Sequence, residues 1–132
     1  MVKQIALAAL FAGLTASSSF AQQCLHGPSE QPDQRVRREQ ALRMAQQINL
    51  AEAVVVPPQT GQPKYRPFAQ LVNVPPTPAG FRLQFYTDST SYTFTLKDRL
   101  DPCYYAIFSD QDKGIYEATP RMGAQIVPAK TQ

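Results

Sequence analysis

Apolar positions recur along this chain with two different periods, and the change falls near Gly80. Between residues 33 and 53 there is neither proline nor glycine. Ala41, Ala45, Ile48 and Glu52 fall there at helical spacing, as do Leu42, Ala45 and Asn49. Arginines and glutamines fill the other faces, so the pattern predicts an amphipathic helix over about 33–53 with one modest apolar stripe. Pro32 suits a first helical turn, where its missing N–H has no partner to lose. Pro57-Pro58 halts the helix. A stripe this narrow does not hold a helix alone and needs a surface to pack on.

After Gly80 the period is two. Phe81, Leu83 and Phe85 alternate with Arg82, Gln84 and Tyr86, and Tyr92, Phe94 and Leu96 alternate with Thr93 and Thr95. The polar stretch 87–90 between them reads as a turn, so the two runs predict a hairpin. A third strand is expected over 103–108, a tight turn over 110–114 and a short fourth strand over 115–118. Residues 119–132 carry little pattern and are expected to end as a frayed tail. The connection 57–80 is rich in proline and is expected to be a rigid irregular loop. A helix followed by a run of strands reads as α+β: one N-terminal helix packed on a 3–4 stranded antiparallel meander. Its stripe should meet the face made by Phe81, Leu83, Phe85, Tyr92, Phe94, Leu96, Tyr105 and Ile107.

The first 21 residues change the picture of where this domain works. Lys3 precedes an apolar run over 5–14, and Ser19-Phe20-Ala21 places small residues at the −3 and −1 positions of a cleavage site. Residues 1–21 are expected to be removed as a signal peptide, leaving 22–132 as a single secreted or periplasmic domain. The apolar run is far shorter than the roughly 20 residues a membrane span needs, so no stable membrane anchor is expected after cleavage. The short leader favours a bacterial source. Cys24 and Cys103 are the two cysteines of the chain, and both survive cleavage. An oxidising compartment favours a disulfide between them over a pair of free thiols.

Net charge is +3, and +2 without Lys3, too mild a balance to imply nucleic acid or a membrane surface. The residues were then searched for chemistry. His26, the one histidine, has no second ligand nearby and reads as a surface histidine, since a zinc site wants three or four ligands. Asp110 and Asp112 resemble half of a calcium loop, but Gly114 stands where a third oxygen ligand is wanted and Glu117 comes too early. A hairpin turn accounts for them equally. Asp98 and Asp101 flank Arg99 in a turn and specify no acid–base pair. Arg35, Arg37, Arg38 and Arg43 are interrupted by acidic residues and read as a solvated helix face. No catalytic residue, metal ligand or cofactor site is expected. On the third strand, Tyr104 and Phe108 lie on the face opposite Cys103, Tyr105 and Ile107, and that face becomes an interaction surface if nothing covers it.

Three stretches carry a resemblance to a known family. The run from Ala41 to Ala53 has a Leu42-Arg43 pair ahead of Ile48-Asn49-Leu50-Ala51-Glu52, similar to the helix of type IV pilins. Residues 80–96 resemble the glycine-led hairpin of the pilin head. Ile107-Phe108-Ser109-Asp110 followed by Gly114-Ile115-Tyr116 is similar to the family's final hairpin. The order resembles the globular head of type IV pilins and type II secretion pseudopilins. The apolar assembly helix that pilins retain has no counterpart after residue 21. The resemblance therefore implies a pilin-like head exported as a free protein, a non-enzymatic structural or interaction accessory with a protein partner in the cell envelope. It assigns no functional residues. The alternative is a small secreted enzyme or enzyme inhibitor acting through the proline-rich loop.

Overall fold

The computed structural model describes residues 23–53, 64–120 and 127–129. The expected signal peptide and the opening of the proline-rich connection, 57–63, lie outside the described residues. The fold is α+β, with helix α1 (Pro32–Ala53) ahead of an antiparallel sheet. The strands are β1 (Phe81–Thr87), β2 (Tyr92–Asp98), β3 (Ala106–Asp110), β4 (Tyr116–Ala118) and β5 (Val127–Pro128). They lie side by side in chain order as a five-stranded meander.

Helix α1 buries Ala41, Met44, Ala45 and Ile48 against the inner face of the sheet. These positions are three and four apart, so they share one face. The sheet answers with Phe81, Tyr92, Phe94, Leu96, Tyr105 and Ile107, all buried, while Leu83 and Phe85 pack half-buried at the margin. Register fixes who meets whom: Phe85 stands opposite Phe94, and Leu96 lies between Leu83 and Ile107. The rings of Tyr92 and Phe94 run nearly parallel, 6.4 Å apart. Each large apolar side chain so buried contributes about 1.5–3 kcal/mol relative to exposure. Asn49 interrupts the apolar stripe for a reason. Its Nδ2 donates to Ser109 Oγ at 2.9 Å, and its Oδ1 accepts from the Tyr92 hydroxyl at 2.8 Å, tying α1 to both β2 and β3.

The β1–β2 turn is held by one carboxylate. Asp88 Oδ1 accepts from the backbone N–H groups of Thr90 and Ser91 at 2.9 and 2.8 Å and from both hydroxyls. These bonds, that from the Thr90 hydroxyl foremost, pull the Asp88 pKa down to about 2. The described part of the proline-rich connection lies on the core rather than projecting from it. Tyr65, Phe68, Leu71 and Val74 are half-buried there, and Tyr65 meets Tyr92 edge-on at 4.8 Å. Phe68–Gln70 forms a single 3₁₀ turn.

The later strands differ from the sequence expectation: the fourth starts at Tyr116 rather than 115, and a fifth joins the expected three or four. The third strand begins at Ala106 instead of residue 103 and runs on through Asp110. Asp101 causes the delay: its carboxylate accepts from the N–H groups of Cys103 and Tyr105, both at 3.1 Å, which holds that backbone in a turn. The tail is not wholly frayed either. Val127 pairs with Glu117 and Pro128 with Tyr116, and Ala129 N–H donates to Ile115 O at 2.6 Å. No described helix is long and apolar enough to cross a membrane.

Candidate functional site

Among the described residues two constellations stand out, one buried at the helix N-terminus and one open on the outer face of the sheet. The first starts from the disulfide. Cys24 is bonded to Cys103, with Cα atoms 5.2 Å apart. The closed loop is long, so the bond removes roughly 4–5 kcal/mol of chain entropy from the unfolded state. It also lays the leader, residues 23–31, along the end of the sheet, where Leu25 N–H donates to Asp101 Oδ1 at 3.0 Å.

This docking carries His26 inward. The expected surface histidine is 4% exposed. Its Nδ1 lies 2.7 Å from Glu30 Oε1 and its Nε2 lies 2.8 Å from Asp98 Oδ2. Two of the four arginines expected to be solvated are drawn in as well. Arg37 Nη2 donates to both oxygens of Asp98 at 2.9 Å. Arg38 grips Glu30 with two nitrogens at 2.9 and 3.1 Å and reaches Glu117 at 3.5 Å. The Tyr105 hydroxyl donates to Glu117. Three cations thus face three carboxylates.

Burial alone would lower the His26 pKa, but its hydrogen bonds to Asp98 and Glu30, with their negative charge, outweigh that and hold the ring above its ordinary value. Burial alone would raise Asp98 and Glu30. His26 with Leu100 N–H and Arg37 holds Asp98 below its ordinary value, and Arg38 with His26 does the same for Glu30. Ionised carboxylates only accept, so both ring nitrogens of His26 must donate. An imidazolium with both N–H groups engaged has no lone pair to act as a general base. The arrangement is a clasp that seats the leader. The sequence hid it because Asp98 is 72 residues away from His26.

The second constellation is the outer face. β1 presents Arg82, Gln84 and Tyr86 there, and β2 presents Thr93, Thr95 and Lys97. Phe108 and Asp110 of β3 follow, and Tyr116 of β4 stands opposite Phe108. No described element lies across this face. Of the two residues expected on the third strand, Phe108 lies in β3, whereas Tyr104 falls in the turn ahead of it, with φ +58°. Tyr104 is exposed, with Lys97 Nζ 4.6 Å from its ring centre. Phe108 is half-buried and stacks on Tyr116 at 5.2 Å with the planes 20° apart. Sequence reasoning passed over Tyr86 and Tyr116 as partners of Phe108, although their alternation with inward residues was the available signal. Tyr86 is 70% exposed.

Between these aromatics runs an open groove of about 320 Å³. Its floor is β2, where Thr93 and Thr95 are small, and its walls are Tyr86 on one side and Phe108 with Tyr116 on the other. Asp110 closes one end, its Oδ1 accepting from Asp112 N–H at 3.0 Å in the β3–β4 turn. Among the described residues no group of three His, Cys, Asp or Glu is placed to hold a metal ion. Comparison of the chain with protein-family models, with curated proteins and with solved structures finds no match.

Proposed function

We propose that this chain is an exported, non-enzymatic binding domain of the cell envelope, and that it binds through the outer face of its sheet. The observation that carries the reading is the aromatic-walled groove there. Large aromatic side chains left on an open face cost solubility and are retained where a partner covers them. The Cys24–Cys103 disulfide favours a compartment outside the cytoplasm, in keeping with the signal-like first 21 residues. The pilin-like stretches of the sequence motivate placing the domain in the cell envelope. His26, the obvious candidate for acid–base work, is fully engaged in the clasp, which favours binding over catalysis.

A photo-crosslinking amino acid placed at position 86 tests the reading against the same group at position 50, which is exposed on the helix. In envelope extract, adducts from position 86 and none from position 50 support it. Equal adducts from both positions, or none from position 86, overturn it.

A further inference from the structure

The outer-face groove lies across strands β1 to β4, over their side chains, and this restricts what it can hold. The β1–β2, β2–β3 and β3–β4 seams beneath the groove are already paired through the backbone, and the free edge of β1 points along the sheet rather than out of this face. Recognition across this face must therefore come from side chains, which disfavours an extended peptide added by main-chain pairing. The aromatic walls are separated by one strand of small residues. Adjacent strands lie about 4.8 Å apart, so Tyr86 on β1 and Phe108 on β3 stand on strands about 10 Å apart. By register Tyr86 faces Asp110 and Phe108 faces Gln84 across β2, so the two rings stand diagonally and leave room for one flat ring system laid across β2.

Apart from one carboxylate, the slot is lined by aromatic rings and neutral hydrogen-bonding groups. The Gln84 amide and the Thr93 and Thr95 hydroxyls line it. The one charged side chain in the lining is the Asp110 carboxylate. A carboxylate repels phosphate, which argues against a nucleotide. Lys97, the nearby cation of β2, is directed over Tyr104. An aliphatic ligand would leave the amide, hydroxyls and carboxylate without partners, at a cost for each group desolvated and unpaired.

Resting on the binding face proposed above, we infer that its ligand is a neutral saccharide. The C–H face of a pyranose packs on an aromatic ring, whose negative π-face meets the weakly positive hydrogens. The equatorial hydroxyls then meet Gln84, Thr93 and Thr95, each able to donate or accept as the sugar requires, and Asp110, whose carboxylate accepts. The groove volume suits one or two sugar units and sits at the low end of small-ligand sites.

The test is a titration of the isotopically labelled disulfide-bonded protein, residues 22–132, with cellobiose, maltose and N,N′-diacetylchitobiose, followed by amide NMR shifts. The expected result is saturable shifts at Gln84, Thr93, Thr95 and Asp110 for at least one sugar, with a dissociation constant of about 1 mM. Tyr86→Ala should weaken that binding by roughly tenfold. It removes a largely exposed ring, so the fold should survive, as the unchanged remainder of the spectrum would verify. Phe108→Ala should act in the same direction, and Arg43→Ala on the exposed side of α1 should not. No saturable shift with any of the three sugars up to about 20 mM overturns the saccharide assignment. Shifts that Tyr86→Ala leaves unchanged overturn it as well. If sugars fail but crosslinking from position 86 succeeds, the ligand class is wrong and the binding face stands. If both fail, the face itself is wrong.

Discussion

Replacing Asp98 by alanine breaks the clasp at its most buried point. The Asp98 carboxylate is fully buried and accepts from His26 Nε2 at 2.8 Å, from Arg37 Nη2 at 2.9 Å and from Leu100 N–H at 2.9 Å. Without it, two cations face each other with no counter-charge between them, and one backbone donor loses its partner. Removing one member of a buried ion pair costs about 3–5 kcal/mol, most of it from the charge left behind. Arg37 retains some solvent and His26 can shed its proton, so the lower part of that range, about 3 kcal/mol, is expected. Urea unfolding at pH 6 with the disulfide intact, followed by circular dichroism, measures it. Asp112→Ala, on the exposed β3–β4 turn, serves as the control and should stay within about 0.5 kcal/mol of the parent. A Cys24→Ser/Cys103→Ser background adds a second arm. There the leader is free to leave with His26, so the Asp98→Ala penalty should shrink by about 1 kcal/mol or more. An Asp98→Ala loss below about 1 kcal/mol with an unchanged denaturant slope would refute the clasp as a structural element.

The clasp also sets a pH window. His26 has a raised folded pKa, so its contribution is complete below its ordinary value of 6.5 and fades as pH rises through the folded value. Glu30 and Asp98 have lowered folded pKa values, so theirs are complete above about 4.5 and fade as pH falls through the folded values. Thermal unfolding scans should therefore peak between about pH 4.5 and 6.5, and His26→Gln should flatten the alkaline limb. Glu52 behaves in the opposite sense. It is buried with Oε1 unpartnered and Oε2 accepting from Arg66 N–H at 3.1 Å, and burial raises its pKa. Its ionised form opposes folding, so Glu52→Gln should stabilise the protein more at pH 8 than at pH 4, as paired unfolding curves would reveal. Gly80 has φ +83°, and an added Cβ would lie 2.6 Å from Arg37 Nη2 and 2.7 Å from Leu100 Cδ1. Gly80→Ala should cost about 1–3 kcal/mol in the same urea assay, by strain and by pushing Arg37 off Asp98.

Much of this architecture is legible because it is local. The helical spacing of Ala41, Ala45 and Ile48 and the alternation from Phe81 to Leu96 each depend on residues a few positions apart, and both elements form as that spacing requires. The inner face of the sheet follows from the same alternation, as does the placing of Phe108 on the outer one. What was hidden depends on distant partners. His26 lies in a polar leader with the composition of a surface segment, and only the disulfide to Cys103 carries it to Asp98. Arg37 and Arg38 share a helix face with solvated residues until that leader brings Glu30 beside them. The third strand slipped past its expected start because Asp101 competes for the N–H groups of Cys103 and Tyr105. Tyr116 reads as one aromatic in a three-residue strand, and its role as a groove wall emerges only from the register that sets it against Phe108.

Whether the outer face of the sheet is the part of the molecule that a partner covers can be read most directly by hydroxyl-radical footprinting. The purified protein and the protein in envelope extract would be oxidised side by side, and modification quantified at Tyr86, at Tyr116 and, on the helix, at Val36 and Leu50. Tyr86, Val36 and Leu50 are all well exposed in the free molecule, at 70%, 49% and 58%. The account predicts that Tyr86 and Tyr116 lose reactivity in the extract while the two helix positions keep theirs. Protection of Val36 and Leu50 with Tyr86 unchanged would contradict it.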